Sequence, residues 1–296
     1  MSLEGPAVHE SLDEAVTAAA RLVIAHGRAI APRGQPTLEV SPHLFSLSRP
    51  RSRLMHLKSR QWSRALAVGE LAWHLRGSDS VAALSYYAPR WRDFAEEDGR
   101  IAGSCYGRKI FRASHAESSQ WDRIRRQLQK DPASRRAVLT FMDPNEDTLG
   151  LSDVACFTSL QFLIRDGRLN CVGTMRSNDL MLGLPYDVFF ATMLQELLAA
   201  EIGLELGTYS HLAASLHVYV DSRAVAEQLA AEVPLSWEEM PPMRDVDALS
   251  SFLSVEELLR QGEPAGLTQA GQLPPYWRAL VQPLVRLFGK RNRTSS

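Results

Sequence analysis

From Pro185 to Ile202 nearly every position is apolar, and a run of that length argues for a buried helix rather than a strand. Proline near its start and Gly203 at its end fit the usual asymmetry of helix termini. Upstream, Phe162-Leu163-Ile164-Arg165 and Arg168-Leu169-Asn170-Cys171-Val172 flank Asp166-Gly167, a two-residue hairpin signal of the type I′ kind. Ser11-Leu12-Asp13-Glu14 caps a helix through Ala15 to Ala25, ended by His26-Gly27. Thr37 to Val40 and His43 to Leu47 read as short strands, and Ala137 to Phe141 as another. Helical periods run over Trp62 to Leu75, Gln120 to Lys130, Ser222 to Glu232, Ser254 to Gln261 and Tyr276 to Phe288. Ser104 to Gly107 reads as a turn and Pro234 to Pro242 as irregular. The first eleven residues and the basic stretch Gly289 to Ser296 are expected to be mobile. With no repeat and no linker, the pattern predicts one α+β domain over residues 1–296.

Composition narrows the function classes. Hydrophobic residues make up 45% of the chain, charged residues 23%, and net charge is −1, which gives no electrostatic case for nucleic acid or an anionic membrane. No apolar run reaches the length of a membrane span, and MSLEGPAVHESLDEA lacks a signal-peptide pattern. Cys105, Cys156 and Cys171 are too scattered for a disulfide framework or a common zinc pattern, so a reducing cytoplasm and no metal are expected. Glu70 sits inside an apolar helical period, where a carboxylate either turns outward or is buried for a purpose. Arg135 and Arg136 open a strand and point to opposite faces. The basic cluster from Arg49 to Arg60 is a solvated face unless a phosphate needs it. Cys156, taken alone, reads as a buried small hydrophobe.

Several motifs in order change that picture. GELAWHLRGSDS (Gly69 to Ser80), Trp91 with DFAEEDGRI, Tyr106-Gly107, DPASRRAVLTF, Cys156, RSND (Arg176 to Asp179), GLPYD (Gly183 to Asp187) and the His217-x-Tyr219 pair together resemble the thymidylate synthase family. The likeness covers roughly Thr37 to Ser222. It implies that family's fold, one large mixed twisted sheet packed with helices, with a sheet face used for dimerisation. It also implies 5,10-methylenetetrahydrofolate as co-substrate and a pyrimidine nucleoside monophosphate as substrate. Cys156 would then add as a thiolate to C6 of the ring, making C5 a nucleophile; this covalent route splits one difficult step into two. Cationic neighbours favour such a thiolate. By the same resemblance Arg176, Ser177 and Arg33 bind the nucleotide, while Arg135 and Arg136 reach the phosphate across a homodimer. His217 and Tyr219 bond a sugar hydroxyl, and Asp179, Trp91 and Gly183 meet the folate. Glu70 and Tyr106 join the catalytic set, Glu70 ordering water and moving protons.

One substitution bears on the base. Where the uracil-directed family members carry asparagine after G-L-P-F, this chain has Asp187 after Gly183-Leu184-Pro185-Tyr186. An ionised carboxylate only accepts hydrogen bonds, which suits the 4-amino group of cytosine and a protonated N3 and opposes uracil O4. Sites built on such pairing reject the wrong partner by factors of ~10⁴ or more. In this residue the chain resembles the (deoxy)cytidylate 5-hydroxymethylase branch. Ala155-Cys156-Phe157 in place of a P-C-H context, Met175 before Arg176 and the polar ending LVRLFGKRNRTSS depart from the synthase pattern. The expected reaction is water capture after one-carbon transfer to CMP or dCMP, in a GC-rich genome and a nucleoside-antibiotic pathway. Thymidylate synthase, a related dUMP or UMP methylase, and a nucleotide-binding pseudoenzyme are the alternatives.

Overall fold

The computed structural model describes residues 6–112, 118–143, 150–234 and 238–294. In chain order the elements begin β1 (Ala7–His9), α1 (Leu12–His26), β2 (Arg28–Ile30), β3 (Thr37–Val40), β4 (His43–Leu47), α2 (Arg64–Leu75) and α3 (Val81–Tyr87). There follow α4 (Tyr106–Phe111), α5 (Gln120–Lys130), β5 (Val138–Thr140), β6 (Phe157–Arg165), β7 (Arg168–Met175), β8 (Asn178–Asp179) and α6 (Leu184–Ile202). The last are β9 (Glu205–Ala213), β10 (Leu216–Tyr219), α7 (Arg223–Ala231), α8 (Leu249–Gln261), α9 (Ala265–Gln272) and α10 (Pro275–Thr294). These pack as two compact units. One holds the chain up to Trp62 with Ile124–Thr140 and Cys156–Met240, the other Ser63–Arg123, Phe141–Ala155 and the chain from Pro241.

In the first unit the strands form two sheets rather than the one large sheet expected. A six-stranded mixed sheet has the order β1-β4-β9-β7-β6-β5, and a four-stranded sheet has the order β2-β3-β10-β8. The split comes after Val40. Although adjacent in sequence, β3 pairs with β2 and β10, whereas β4 pairs with β1 and β9. The hairpin between β6 and β7 turns as its residues predict, with Asp166 and Gly167 both at positive φ (50° and 69°).

One face of the larger sheet is apolar because Phe157, Leu160, Phe162, Leu169, Cys171, Met175 and Ala213 alternate inward, and α6 packs on β7 and β9 over it. That demand explains why α6 is apolar all round. Two of its polar residues, Gln195 and Glu196, have structural work. Gln195 donates to the carbonyls of Leu169 (2.8 Å) and Thr208 (3.1 Å), beside the register shift between Leu169 and Cys171. Glu196 receives the fully buried Arg53, whose guanidinium also donates to the carbonyl of Thr192 at 2.8 Å.

In the second unit Ser63 caps α2 by accepting from the Leu66 amide at 3.1 Å. Trp73, Leu84, Ile101 and Cys105 form a buried cluster, with Trp91 packed against it. The stretch expected as a turn at Ser104 to Gly107 runs into the short helix α4. Asp153 takes the backbone N–H of Gly103 (3.1 Å) and the Ser104 hydroxyl (2.9 Å), so a side chain remote in sequence supports the entry. Glu256 is buried and accepts from Tyr87 (2.7 Å), Arg76 (2.7 Å) and Arg260 (2.9 Å).

Both ends are more regular than expected. β1 pairs with β4, and α10 continues past Gly289 to Thr294, where Arg291 lies 3.9 Å over the Tyr86 ring. Residues 1–5 and 295–296 of the expected mobile ends, and 235–237 of the expected irregular stretch, lie outside the described residues. Among the described residues no helix is long and apolar enough to cross a membrane.

Candidate active site

The first unit gathers a group of polar side chains where the two sheets and the start of α6 meet. Cys156 immediately precedes β6, and Arg176 immediately follows β7. The Arg176 amide donates to the Cys156 carbonyl at 2.9 Å, closing the ladder. This brings an arginine Nη2 to 3.9 Å from the cysteine sulfur. The sulfur is only partly buried. Cys105 and Cys171 differ: burial pushes the Cys105 thiol up to about 11 and raises that of Cys171 further. Both are therefore neutral packing groups at ordinary pH.

Asn178 and Asp179 form β8, which runs parallel to β10. The Asp179 carboxylate accepts from the amides of Met181 (2.7 Å) and Leu182 (3.2 Å) and so shapes the connection into α6. Gly183 caps that helix and Asp187 lies in its first turn. A Cβ on Gly183 would stand 2.9 Å from Asp187 Oδ2 and 3.0 Å from Asn178 Nδ2, so glycine is what leaves room for these two to meet. Asn178 donates to Asp187 Oδ2 at 2.8 Å. Asp187 keeps some accessible surface, yet the protein packed around its carboxyl pushes it up to about 7. Burial is the main cause; the Asn178 hydrogen bond opposes it and the neighbouring Asp179 charge adds to it.

His217 and Tyr219 lie on β10 with Leu216 and Val218 turned into the core between them. Alternation therefore sets the pair on one side of the strand, their rings meeting edge to face at 5.3 Å. Burial lowers the His217 pKa, and Asp179 and Glu39 partly offset it. Arg33 opposes those two carboxylates, which places its charge in the same neighbourhood, on a 3-10 turn with φ of 52°. Ser177 is half-buried between Arg176 and Asn178. Arg135 and Arg136 are exposed just before β5, the edge strand of the larger sheet. The structure thus brings Cys156 together with Arg176, Asp187 with Gly183, and His217 with Tyr219, Asp179 and Arg33.

Glu70, Trp91 and Tyr106 belong to the second unit. Glu70 lies on α2 and is partly exposed. Tyr106 opens α4, is buried, stacks on His74 (5.4 Å, 23°) and meets Phe141 edge-on at 5.1 Å. Trp91 packs on Trp73 and Phe94.

Sequence reasoning missed three members of the group in the first unit. Asn178 was only the variable letter of RSND, and β9, with Tyr209 and His211 on its inward face, was not foreseen at all. The available signal was period-two alternation, which sets Tyr209, His211 and Ala213 on one side.

A family model described as thymidylate synthase matches residues 17–250. A deoxyuridylate hydroxymethyltransferase of Bacillus phage SP01 is 29% identical over 246 residues, 77% of this chain and 63% of that protein. A thymidylate synthase of Bacillus mojavensis is 28% identical over 193 residues, 62% of this chain and 68% of that protein. The chain thus spans under two thirds of the phage protein's length. Neither of these relatives is named for a cytidylate substrate, so the likeness supports the family and not the cytidylate branch.

Proposed function

The chain belongs to the thymidylate synthase family, and from that premise we propose that it attaches a one-carbon unit to C5 of a pyrimidine nucleoside monophosphate and releases the 5-hydroxymethyl nucleotide. The family uses methylenetetrahydrofolate as co-substrate, which supplies the carbon. Cys156 is the nucleophile that adds to ring C6. A guanidinium 3.9 Å from its sulfur supports this role, because cationic neighbours stabilise the thiolate. Arg176 and Ser177 hold the phosphate with Arg33 nearby, Arg135 and Arg136 serve a second subunit, and His217 with Tyr219 orients the sugar. Asp179 and Gly183 face the folate; the roles that the family resemblance gives Trp91, Glu70 and Tyr106 fall to residues of the second unit.

The observation that carries the base assignment is the hydrogen bond from Asn178 Nδ2 to Asp187 Oδ2. It orients a carboxyl group at the first turn of α6 and commits one oxygen, leaving Oδ1 to accept from an exocyclic amino group. That favours CMP or dCMP. Apolar Phe157 and Met175, both buried beside Cys156 and Arg176, separate this site from one that carries polar groups there. Water capture is favoured by the activity for which the phage relative is named.

A second reading, a uracil nucleotide, is favoured by one specific observation. A carboxyl pushed up to about 7 is part-protonated near neutrality, and a protonated carboxyl donates to O4 while accepting from N3–H. The phage relative is named for deoxyuridylate. Incubation with methylenetetrahydrofolate and each of CMP, dCMP, UMP and dUMP, with products weighed by mass spectrometry, decides between the readings. Gain of CH2O on a cytosine nucleotide with tetrahydrofolate recovered supports the proposal. A methyl product with dihydrofolate, or product from uracil nucleotides alone, replaces it.

A further inference from the structure

Behind Asp187 a line of buried polar side chains crosses the sheet core. Tyr209 Oη lies 2.8 Å from His211 Nδ1, His211 Nε2 lies 2.9 Å from Asn178 Oδ1, and Asn178 Nδ2 lies 2.8 Å from Asp187 Oδ2. Tyr209 and His211 have no exposed surface and Asn178 is 1% exposed. Donor and acceptor roles follow from chemistry. Asn178 gives its amino group to Asp187, so its carbonyl must accept from Nε2–H. Burial pushes the His211 pKa down to about 3, so its ring is neutral and Nδ1 is left as an acceptor for the Tyr209 hydroxyl. Burial also keeps that hydroxyl protonated. Every donor therefore points the same way, towards Asp187.

Packing on both sides enforces the alignment. Phe45 stacks on the His211 ring at 5.1 Å and 24°, and Phe157 meets it edge-on at 6.4 Å. Gly173 stands opposite His211 in the ladder, and a Cβ there would lie 2.7 Å from the Tyr209 hydroxyl. The other titratable groups that act on the line are His43 on His211, Cys171 on Tyr209 and Asp179 on Asp187. Buried polar groups commonly satisfy one another for stability alone. This line differs in ending on a carboxyl that keeps accessible surface.

We propose that Tyr209 and His211 are positioning residues for the base-reading carboxyl: by dictating the His211 tautomer and the Asn178 amide orientation, they hold an N–H on Asp187 Oδ2 and favour its ionised form. The inference rests on the reading of Asp187 as base-facing. Tyr209→Phe removes the donor at Nδ1 and frees the ring to change tautomer. Asn178 can then turn its carbonyl towards Asp187, where two acceptors oppose each other.

The test measures CMP and dCMP affinity by calorimetry across roughly pH 5 to 9 for the wild type, Tyr209→Phe and Asp187→Asn. Beyond the share set by the nucleotide phosphate, which titrates at about pH 6 in every variant, the midpoint of the pH dependence is expected to rise by about one unit in Tyr209→Phe, a tenfold change in proton affinity, and that component to vanish in Asp187→Asn. A lowered melting temperature with an unmoved midpoint in Tyr209→Phe overturns the relay and leaves the base reading standing. An unchanged pH dependence in Asp187→Asn overturns the base reading itself. Should Tyr209→Phe not fold, nitrogen NMR of the wild-type histidines reads the tautomer directly. Protonation at Nε2 of His211 is expected, and protonation at Nδ1 overturns the proposal.

Discussion

Replacing Asp187 by asparagine removes a charge without changing the shape of the side chain, and its consequence follows from the neighbouring amide. Asn178 Nδ2 stands 2.8 Å from Asp187 Oδ2. In the variant, the new carbonyl oxygen must take that place, because two amino groups facing each other leave a donor unpaired at about 1–3 kcal/mol. The new amino group is then the atom turned to the base. Against the amino group of cytosine it opposes donor to donor; against O4 of uracil it donates to an acceptor. Losing a charge-assisted hydrogen bond costs roughly 1.5–3 kcal/mol, so kcat/KM for the cytosine nucleotide falls by about 10–150-fold. Gaining a neutral bond, worth about 1 kcal/mol, raises uracil use by about fivefold. Competition between CMP and UMP, and between dCMP and dUMP, reads the ratio without needing either rate alone. A ratio that moves by less than about threefold, under 1 kcal/mol, refutes the reasoning.

Cys156→Ala is expected to abolish product formation while nucleotide affinity stays within a few-fold, measured by calorimetry; product at wild-type rate removes Cys156 from the mechanism. Arg53→Ala takes from the buried Glu196 its fully buried partner and leaves the partly exposed Arg51 at 4.0 Å, and it is expected to cost about 3 kcal/mol in urea denaturation, far more than loss of a surface pair. Asp187 also makes stability fall with pH. Because its pKa is raised from 3.8 to about 7, the folded state binds more protons than the unfolded one between those values. Asp187→Asn abolishes that slope, so its melting temperature relative to wild type is expected to be higher at pH 8 than at pH 4; the opposite order contradicts burial as the cause. Gly183→Ala places a methyl against the Asn178–Asp187 contact and is expected to blunt base selectivity in the same competition assay.

Much of this was legible because period and turn chemistry agree locally. The Asp166-Gly167 hairpin, the Ser11 cap and the apolar run of α6 each rest on signals contained within a few residues. The division into two sheets was not legible, since β3 and β4 look alike in sequence and differ only in their distant partners. Ser104 to Gly107 reads as a turn and not as the entry to α4 because the support for that entry comes from Asp153, far along the chain. At the site, motif letters located Cys156, Arg176 and Asp187. Asn178 and His211 could not be found that way, because their role lies in a line of contacts that exists only once β7, β8 and β9 are assembled. Gly183 was assigned to the folate by resemblance; the geometry gives it a further reason, the room it leaves beside Asp187.

A sulfur that attacks the ring and a carboxyl that reads its edge are observed together in a crystal structure with bound CMP or dCMP. The expected result has Cys156 Sγ against ring C6 and Asp187 Oδ1 within hydrogen-bonding distance of the exocyclic amino group, with Asn178 still on Oδ2. A nucleotide bound with C6 remote from Cys156, or with Asp187 turned away from the base, contradicts it.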